Sequence, residues 1–160
     1  MANPTVYIET SVISYLAALP SRDLILAAHQ QVTRDWWAGR DRFQLLVSEA
    51  VLEEAARGDH VAAARRLAVL EGISLLSASA PAQALARDFL EAAVMPSKAA
   101  IDAVHVAIGA TNGVDFLVTW NCMHIANAAV REKIEAVRRK AGFRPPVICT
   151  PLELLAEEDQ

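Results

Sequence analysis

Short apolar runs alternate along the chain with longer stretches in which apolar residues recur every three or four positions. Thr5–Ile8 is a β-rich apolar run, read as a central strand buried on both faces. Thr10 and Ser11 are good cap residues that open a helix through Leu16, and Pro20 ends it. Ser21–Gly39 follows as a second helix, with Ser21 as cap and Leu24, Ile25, Ala28, Val32 and Trp36 at helical spacing. The pair Trp36–Trp37 reads as core or interface packing rather than base stacking. Phe43–Val47 is the second strand, and Ser48 caps a helix over Glu49–Arg57 that stops at Gly58. Asp59–Leu70 is a helix with Ala62, Leu67 and Leu70 inward and Arg65 and Arg66 solvated. Ile73–Leu76 is a third strand and Pro81–Val94 a helix. Beyond the break at Met95–Ser97, where Ser97 is placed to cap, Lys98–Gly113 is apolar nearly all round, as a core helix is. Val114–Asn121 reads as a buried strand with a polar end. A further helix runs to Lys140, Pro145–Pro146 leads into the strand Val147–Cys149, and Pro151 opens a short terminal helix.

Strands alternating with helices predict an α/β fold with a mostly parallel sheet and helices on both faces. With 160 residues, no repeat and no long linker, one domain over 1–160 is expected. Such a chain buries roughly 68–70% of its unfolded surface and needs no disulfide or metal to fold. The net charge of −4 and the lack of a long basic run argue against broad electrostatic capture of nucleic acid. They leave open a local site that a nucleic acid reaches through metal ions. Cys122 and Cys149 form neither a disulfide framework nor a zinc spacing, which suits a reducing cytosol, so a cytoplasmic location is expected. The start of the sequence carries no charged leader or cleavage site, and no apolar run is long enough to span a membrane.

Five positions then stand out. Asp102 and His105 share one face of the core helix, and a carboxylate there must be paired, hydrogen-bonded or metal-bound. Glu9 follows the first strand, at the end where open α/β sheets bind ligands; its bland alternative is a partner for a helix dipole. Glu54 follows Val51 by three and borders the apolar stripe of Val51, Leu52 and Ala55, so it points inward and Glu53 outward. Asn121 ends the fourth strand. In a doubly wound sheet Glu9, Glu54 and Asp102 meet at the carboxyl edge beside Asn121, their carboxyl carbons within roughly 8 Å of one another. Such carboxylates repel unless a cation holds them, and their oxygens suit Mg²⁺ or Mn²⁺. The chemistry implied is metal-assisted attack of water on a phosphodiester. His105 reads as a core hydrogen-bonding residue. His124 reads either as a metal ligand or phosphate contact or as a surface cap. Thr10, Ser11 and Thr119 either orient ligands or water, or simply cap.

These residues fall in runs that resemble a known family. Val6–Val12 resembles the opening of PIN-domain ribonucleases, whose first strand usually ends Asp-Thr/Asn-Ser. Ser48–Gly58 resembles the second motif, with Glu54 four residues before the glycine. Ile101–Ala107 resembles the third, with Asp102 as its aspartate, and Phe116–Asn121 the fourth, usually Thr-x-Asp. The resemblance covers nearly the whole chain. It implies a three-layer α/β/α sandwich with strand order 3-2-1-4-5 and Glu9, Glu54 and Asp102 as metal ligands, with Asn121 in the catalytic set. Many small members resemble VapC toxins of type II toxin–antitoxin pairs, which cleave RNA with Mg²⁺ or Mn²⁺ and are blocked by a small antitoxin protein. A homodimer is expected, with Trp36, Trp37 and the apolar side of the Ser21–Gly39 helix as candidate interface. Two departures mark an atypical subgroup. Glu9 and Asn121 stand where aspartates are usual, which leaves three negative charges instead of four. The alternatives are a catalytically weakened PIN domain that binds RNA or protein, and a small-molecule phosphohydrolase, for which no phosphate-cradling glycine loop speaks.

Overall fold

The computed structural model describes residues 2–144 and 146–155. Five parallel strands form one sheet in the order β3-β2-β1-β4-β5. They are β1 (Thr5–Ile8), β2 (Gln44–Ser48), β3 (Ser74–Leu76), β4 (Phe116–Val118) and β5 (Val147–Cys149). β1 is central because its residues Val6, Tyr7 and Ile8 have no exposed surface and its two edges pair with β2 and β4. Seven helices connect the strands: α1 (Thr10–Ala17), α2 (Leu24–Ala38), α3 (Glu49–Ala55), α4 (His60–Leu70), α5 (Ala80–Glu91), α6 (Ala100–Thr111) and α7 (Ala128–Lys140). α1 packs with α2, α3 and α4, whereas α5 packs with α6 and α7, which gives the two helical layers of an α/β/α sandwich. None of the described helices is long and apolar enough to cross a membrane. Pro145, expected to lead into the last strand with Pro146, lies outside the described residues, as do Met1 and 156–160 of the expected domain.

Several local expectations are corrected. The cap of α1 is Glu9, whose carboxylate accepts from the Ser11 N–H at 3.0 Å; Thr10 and Ser11 lie inside the first turn. α2 begins at Leu24 because Asp23 caps it, accepting from the Leu26 N–H at 2.9 Å, while Ser21 shapes the turn before it. Ser97 caps nothing: Ser97–Ala99 is a single 3-10 turn leading into α6. Pro151–Leu154 is likewise a 3-10 turn. Arg65 and Arg66 are not simply solvated, since their Nε–H groups donate to Ala17 O and Ala55 O and tie α4 to the ends of α1 and α3.

α2 departs furthest from its apolar periodicity. Its buried residues are Gln30, Thr33 and Trp36. Leu24 is 86% exposed and Ile25 69% exposed, in the first turn of the helix. Trp36 is fully buried and therefore unavailable as an interface residue. The face of α2 that meets the body is fixed by Trp120, whose indole N–H donates to Thr33 Oγ1 at 2.8 Å and whose ring stacks on His29 with centroids 4.2 Å apart.

Candidate active site

The carboxyl ends of β1, β2 and β4 meet where α1, α3 and α6 begin. Glu9 sits at the end of β1, held by its backbone N–H donating to Val118 O at 3.0 Å. Its carboxylate is 4% exposed, and one oxygen, Oε2, carries three donors: Ser11 N–H, Ser11 Oγ–H and, at 2.8 Å, Thr119 Oγ–H. Ser11 Oγ and Thr119 Oγ1 in turn accept from the Trp120 and Asn121 N–H groups at 2.8 and 2.9 Å. Ser11 and Thr119 therefore orient Glu9 through a network anchored in the backbone of the segment after β4. Burial pushes the Glu9 carboxyl above its ordinary pKa, and charge on His105 and the Ser11 and Thr119 bonds only partly counter it.

Glu54 enters from α3. Val51 and Ala55 bury the apolar side of this short helix, and Glu54 lies beside them, while Glu53 is exposed. Ser48 starts the helix by accepting from the Val51 N–H. Glu54 Oε1 accepts from Thr10 Oγ–H at 2.7 Å and closely contacts His105 Nε2. Burial works to raise the Glu54 carboxyl, but the hydrogen bond from His105 and its charge, with Thr10 and Arg57, bring it below its ordinary value.

His105 is fully buried on α6. Its Nδ1 lies 2.7 Å from Tyr7 Oη, which lies 2.7 Å from Ser48 Oγ. Core hydrogen bonding, expected for this histidine, is what it does. A Tyr7–Ser48 bridge was not read from the sequence; the signal was a tyrosine inside an otherwise apolar central strand, whose hydroxyl needs a partner when buried. Burial pushes the Tyr7 hydroxyl well above its ordinary pKa, against the Ser48 bond.

Glu9, Glu54 and His105 each offer one donor atom, and these three atoms lie within 4.8 Å of one another. Oxygen and imidazole donors at this spacing fit a divalent cation. Asp102 stands outside this group. Its Oδ2 pairs with His124 Nδ1 at 3.0 Å, and the two are partly buried. Asn121 is in the same segment as His124, but its side-chain oxygen accepts from the His124 N–H at 3.0 Å and shapes the turn. α6 contributes one residue to each of two groups: His105 to Glu9–Glu54–His105, and Asp102 to the pair with His124, whose N–H is held by the Asn121 side chain.

No family model matches the sequence, and no curated protein matches it. Solved structures do resemble the fold. Mycobacterium tuberculosis VapC20, a toxin that cleaves the sarcin–ricin loop, superposes with a TM-score of 0.58 at 18% identity, covering 87% of this chain and 96% of that one. VapBC2 from Rickettsia felis, bound to a DNA fragment from their promoter, gives a TM-score of 0.58 at 11% identity, with 91% of this chain and 98% of that one covered. The chain therefore has the VapC-like, PIN-type α/β/α fold that its motifs implied.

Proposed function

We propose that this chain is a PIN-domain endoribonuclease of the VapC kind, the toxin of a type II toxin–antitoxin pair acting in the cytoplasm. The observation that carries the reading is the convergence of Glu9 and Glu54 at the carboxyl edge of the sheet, with Asp102 one helical turn before the histidine that touches Glu54. The metal is Mg²⁺ or Mn²⁺, with Glu9, Glu54 and Asp102 as its acidic residues. When bound, such an ion supplies an activated water and neutralises charge on the phosphodiester. The chain's own residues do the positioning. Ser11 and Thr119 hold one oxygen of Glu9, Thr10 holds one of Glu54, and Asp102 orients the His124 ring.

The partners in this reading are RNA, a small antitoxin and a second copy of the chain. The exposed apolar side chains of Leu24 and Ile25, with Leu19 nearby in sequence, support an interaction surface at the start of α2. A Leu24→Glu variant that keeps the wild-type mass by light scattering would count against its use in a homodimer.

The second reading, a weakened domain that binds RNA without cutting it, is favoured by the engagement of Asn121 in a turn hydrogen bond. A nuclease assay with Mg²⁺ and Mn²⁺ separates the two. The proposed activity requires RNA cleavage by the wild type and its loss in Asp102→Asn. RNA binding without cleavage in either metal would support the second reading.

A further inference from the structure

The residue that distinguishes this centre from an all-carboxylate one is His105. Ligand atoms around one ion at bond lengths of about 2.0–2.2 Å stand at most roughly 4.4 Å apart. Donor atoms of Glu9, Glu54 and His105 lie within 4.8 Å of one another, so the group is close to the span of one coordination sphere, with Glu54 and His105, now in direct contact, parting to admit the ion. His105 is fully buried and cannot turn away to solvent. Its Nδ1 is engaged by Tyr7 Oη, which is itself engaged by Ser48 Oγ, and Ser48 Oγ accepts from the Val51 N–H. Nε2 is the nitrogen that faces Glu54, and in the metal-free protein its N–H donates to Oε1. With Nδ1–H turned to Tyr7 and Tyr7 O–H to Ser48, a metal ion would take the place of the Nε2 proton, as ions do when they displace protons from their ligands. A hydrogen bond from the far ring nitrogen to a fixed partner is how metal-binding histidines are oriented. Both carboxylates keep an oxygen, Oε1 of Glu9 and Oε2 of Glu54, with no hydrogen bond among the described residues. Two carboxylates and a neutral imidazole also balance a dication in a place where unbalanced charge is costly.

We infer that His105 is an inner-sphere ligand, so that Glu9, Glu54 and His105 form a mixed oxygen–nitrogen centre selective for a first-row transition-metal dication over Mg²⁺. The inference rests on the metal-dependent reading above and narrows it. Mg²⁺ is a hard ion that takes oxygen and sheds water reluctantly, whereas an imidazole ligand favours first-row transition metals, whose affinity for a given site rises from Mn²⁺ through Fe²⁺ and Co²⁺ to Ni²⁺. The acidic residues alone would not make that distinction so sharply.

The test uses the full chain, stripped of metal, and reads binding rather than cleavage. Calorimetric titration with Mn²⁺ and with Mg²⁺ is run on wild type, Glu9→Gln and His105→Gln. The ratio of Mn²⁺ to Mg²⁺ affinity is expected to fall about 10- to 100-fold in His105→Gln, the range seen when a metal site loses a supporting group. Because His105→Gln disturbs a buried network, pulsed electron paramagnetic resonance of Mn²⁺ on the wild type provides a readout that needs no variant. Nitrogen-14 coupling from a directly bound imidazole is expected. Mn²⁺ binding that depends on Glu9 but shows no nitrogen coupling overturns the role of His105 and leaves the metal-dependent reading standing. Absence of metal binding in the wild type, or binding indifferent to Glu9→Gln, overturns both.

Discussion

Two carboxylates tie β1 to the segments around β4, one at each end of the strand pair. At the amino end, Asp115 Oδ2 accepts from the Thr5 N–H at 2.8 Å and the Thr5 hydroxyl at 3.0 Å, and the Asp115 N–H donates back to Thr5 Oγ1. At the carboxyl end, Glu9 Oε2 accepts from Ser11 and Thr119. Both acids are well supplied with donors, yet they respond in opposite directions. The Thr5 backbone and hydroxyl hold the partly exposed Asp115 carboxyl below the usual range, whereas burial pushes Glu9 up despite its donors. Hydrogen bonding alone does not mark a functional carboxylate. What separates the pair is a desolvation cost at Glu9 that its donors offset only in part and that a cation, in the proposed metal site, would offset further.

The largest test of that contrast is Glu9→Gln beside Asp115→Asn. Two unit charges about 4 Å apart interact by about 4 kcal/mol at an effective dielectric near 20, and a divalent ion doubles that, before desolvation is subtracted. Glu9→Gln is therefore expected to weaken Mn²⁺ binding at least about 100-fold by calorimetry. Asp115→Asn should leave metal affinity unchanged and cost roughly 0.5–1 kcal/mol in urea unfolding, because solvent screens its interactions. Equal losses of metal binding in the two variants would break the contrast.

Tyr7→Phe comes next. It removes the hydroxyl between Ser48 and His105 and leaves buried polar atoms without that partner, at a cost of roughly 1–3 kcal/mol in chemical denaturation. A variant as stable as wild type would show that the bridge is not part of what holds the core.

The pH dependence of the metal-free protein is the third measure. The folded Glu9 pKa lies above the ordinary glutamate value of 4.5, so its favourable contribution is complete below 4.5 and is lost as pH rises through the raised value. Asp115 and Glu54 act the other way. Their contributions are present above their ordinary values of 3.8 and 4.5 and are lost as pH falls through the lowered ones. Denaturant melts across pH should show Glu9→Gln flattening the decline that follows as pH rises past the raised Glu9 value and Asp115→Asn flattening part of the acid one. The smallest effect is expected from Asn121→Asp. The carboxylate can keep the bond to the His124 N–H, and its added charge should tighten metal binding by roughly 1 kcal/mol after screening. An unchanged affinity would place position 121 outside the field of the site.

The central place of β1 and the inward phase of Glu54 follow from features visible in the sequence, while the full strand order came from the resemblance to PIN domains. A continuous apolar run such as Val6–Ile8 has few places to go except the middle of a sheet, and a three-residue spacing from Val51 sets a helical face. α2 was misread because periodicity assumes that apolar residues point inward. Its orientation is decided by Trp120, 87 positions from Thr33, and its apolar first turn is left outside. The partners of Asp102 and His105 were equally hidden. Asp102 finds His124 across 22 positions and His105 finds Glu54 across 51, and such pairings depend on how helices dock rather than on local pattern.

Parallel pairing through the middle of the sheet also sets an order in time. β1 leaves the ribosome before β4, and the threonine that secures Glu9 lies 110 residues later. At about 5–20 residues per second, that interval is roughly 5–20 s. During it Val6, Tyr7 and Ile8 have no β4 to pair with, and the buried carboxylate cannot yet be assembled. The site is therefore among the last features to mature during synthesis, and a chain cut short before Thr119 is born without it.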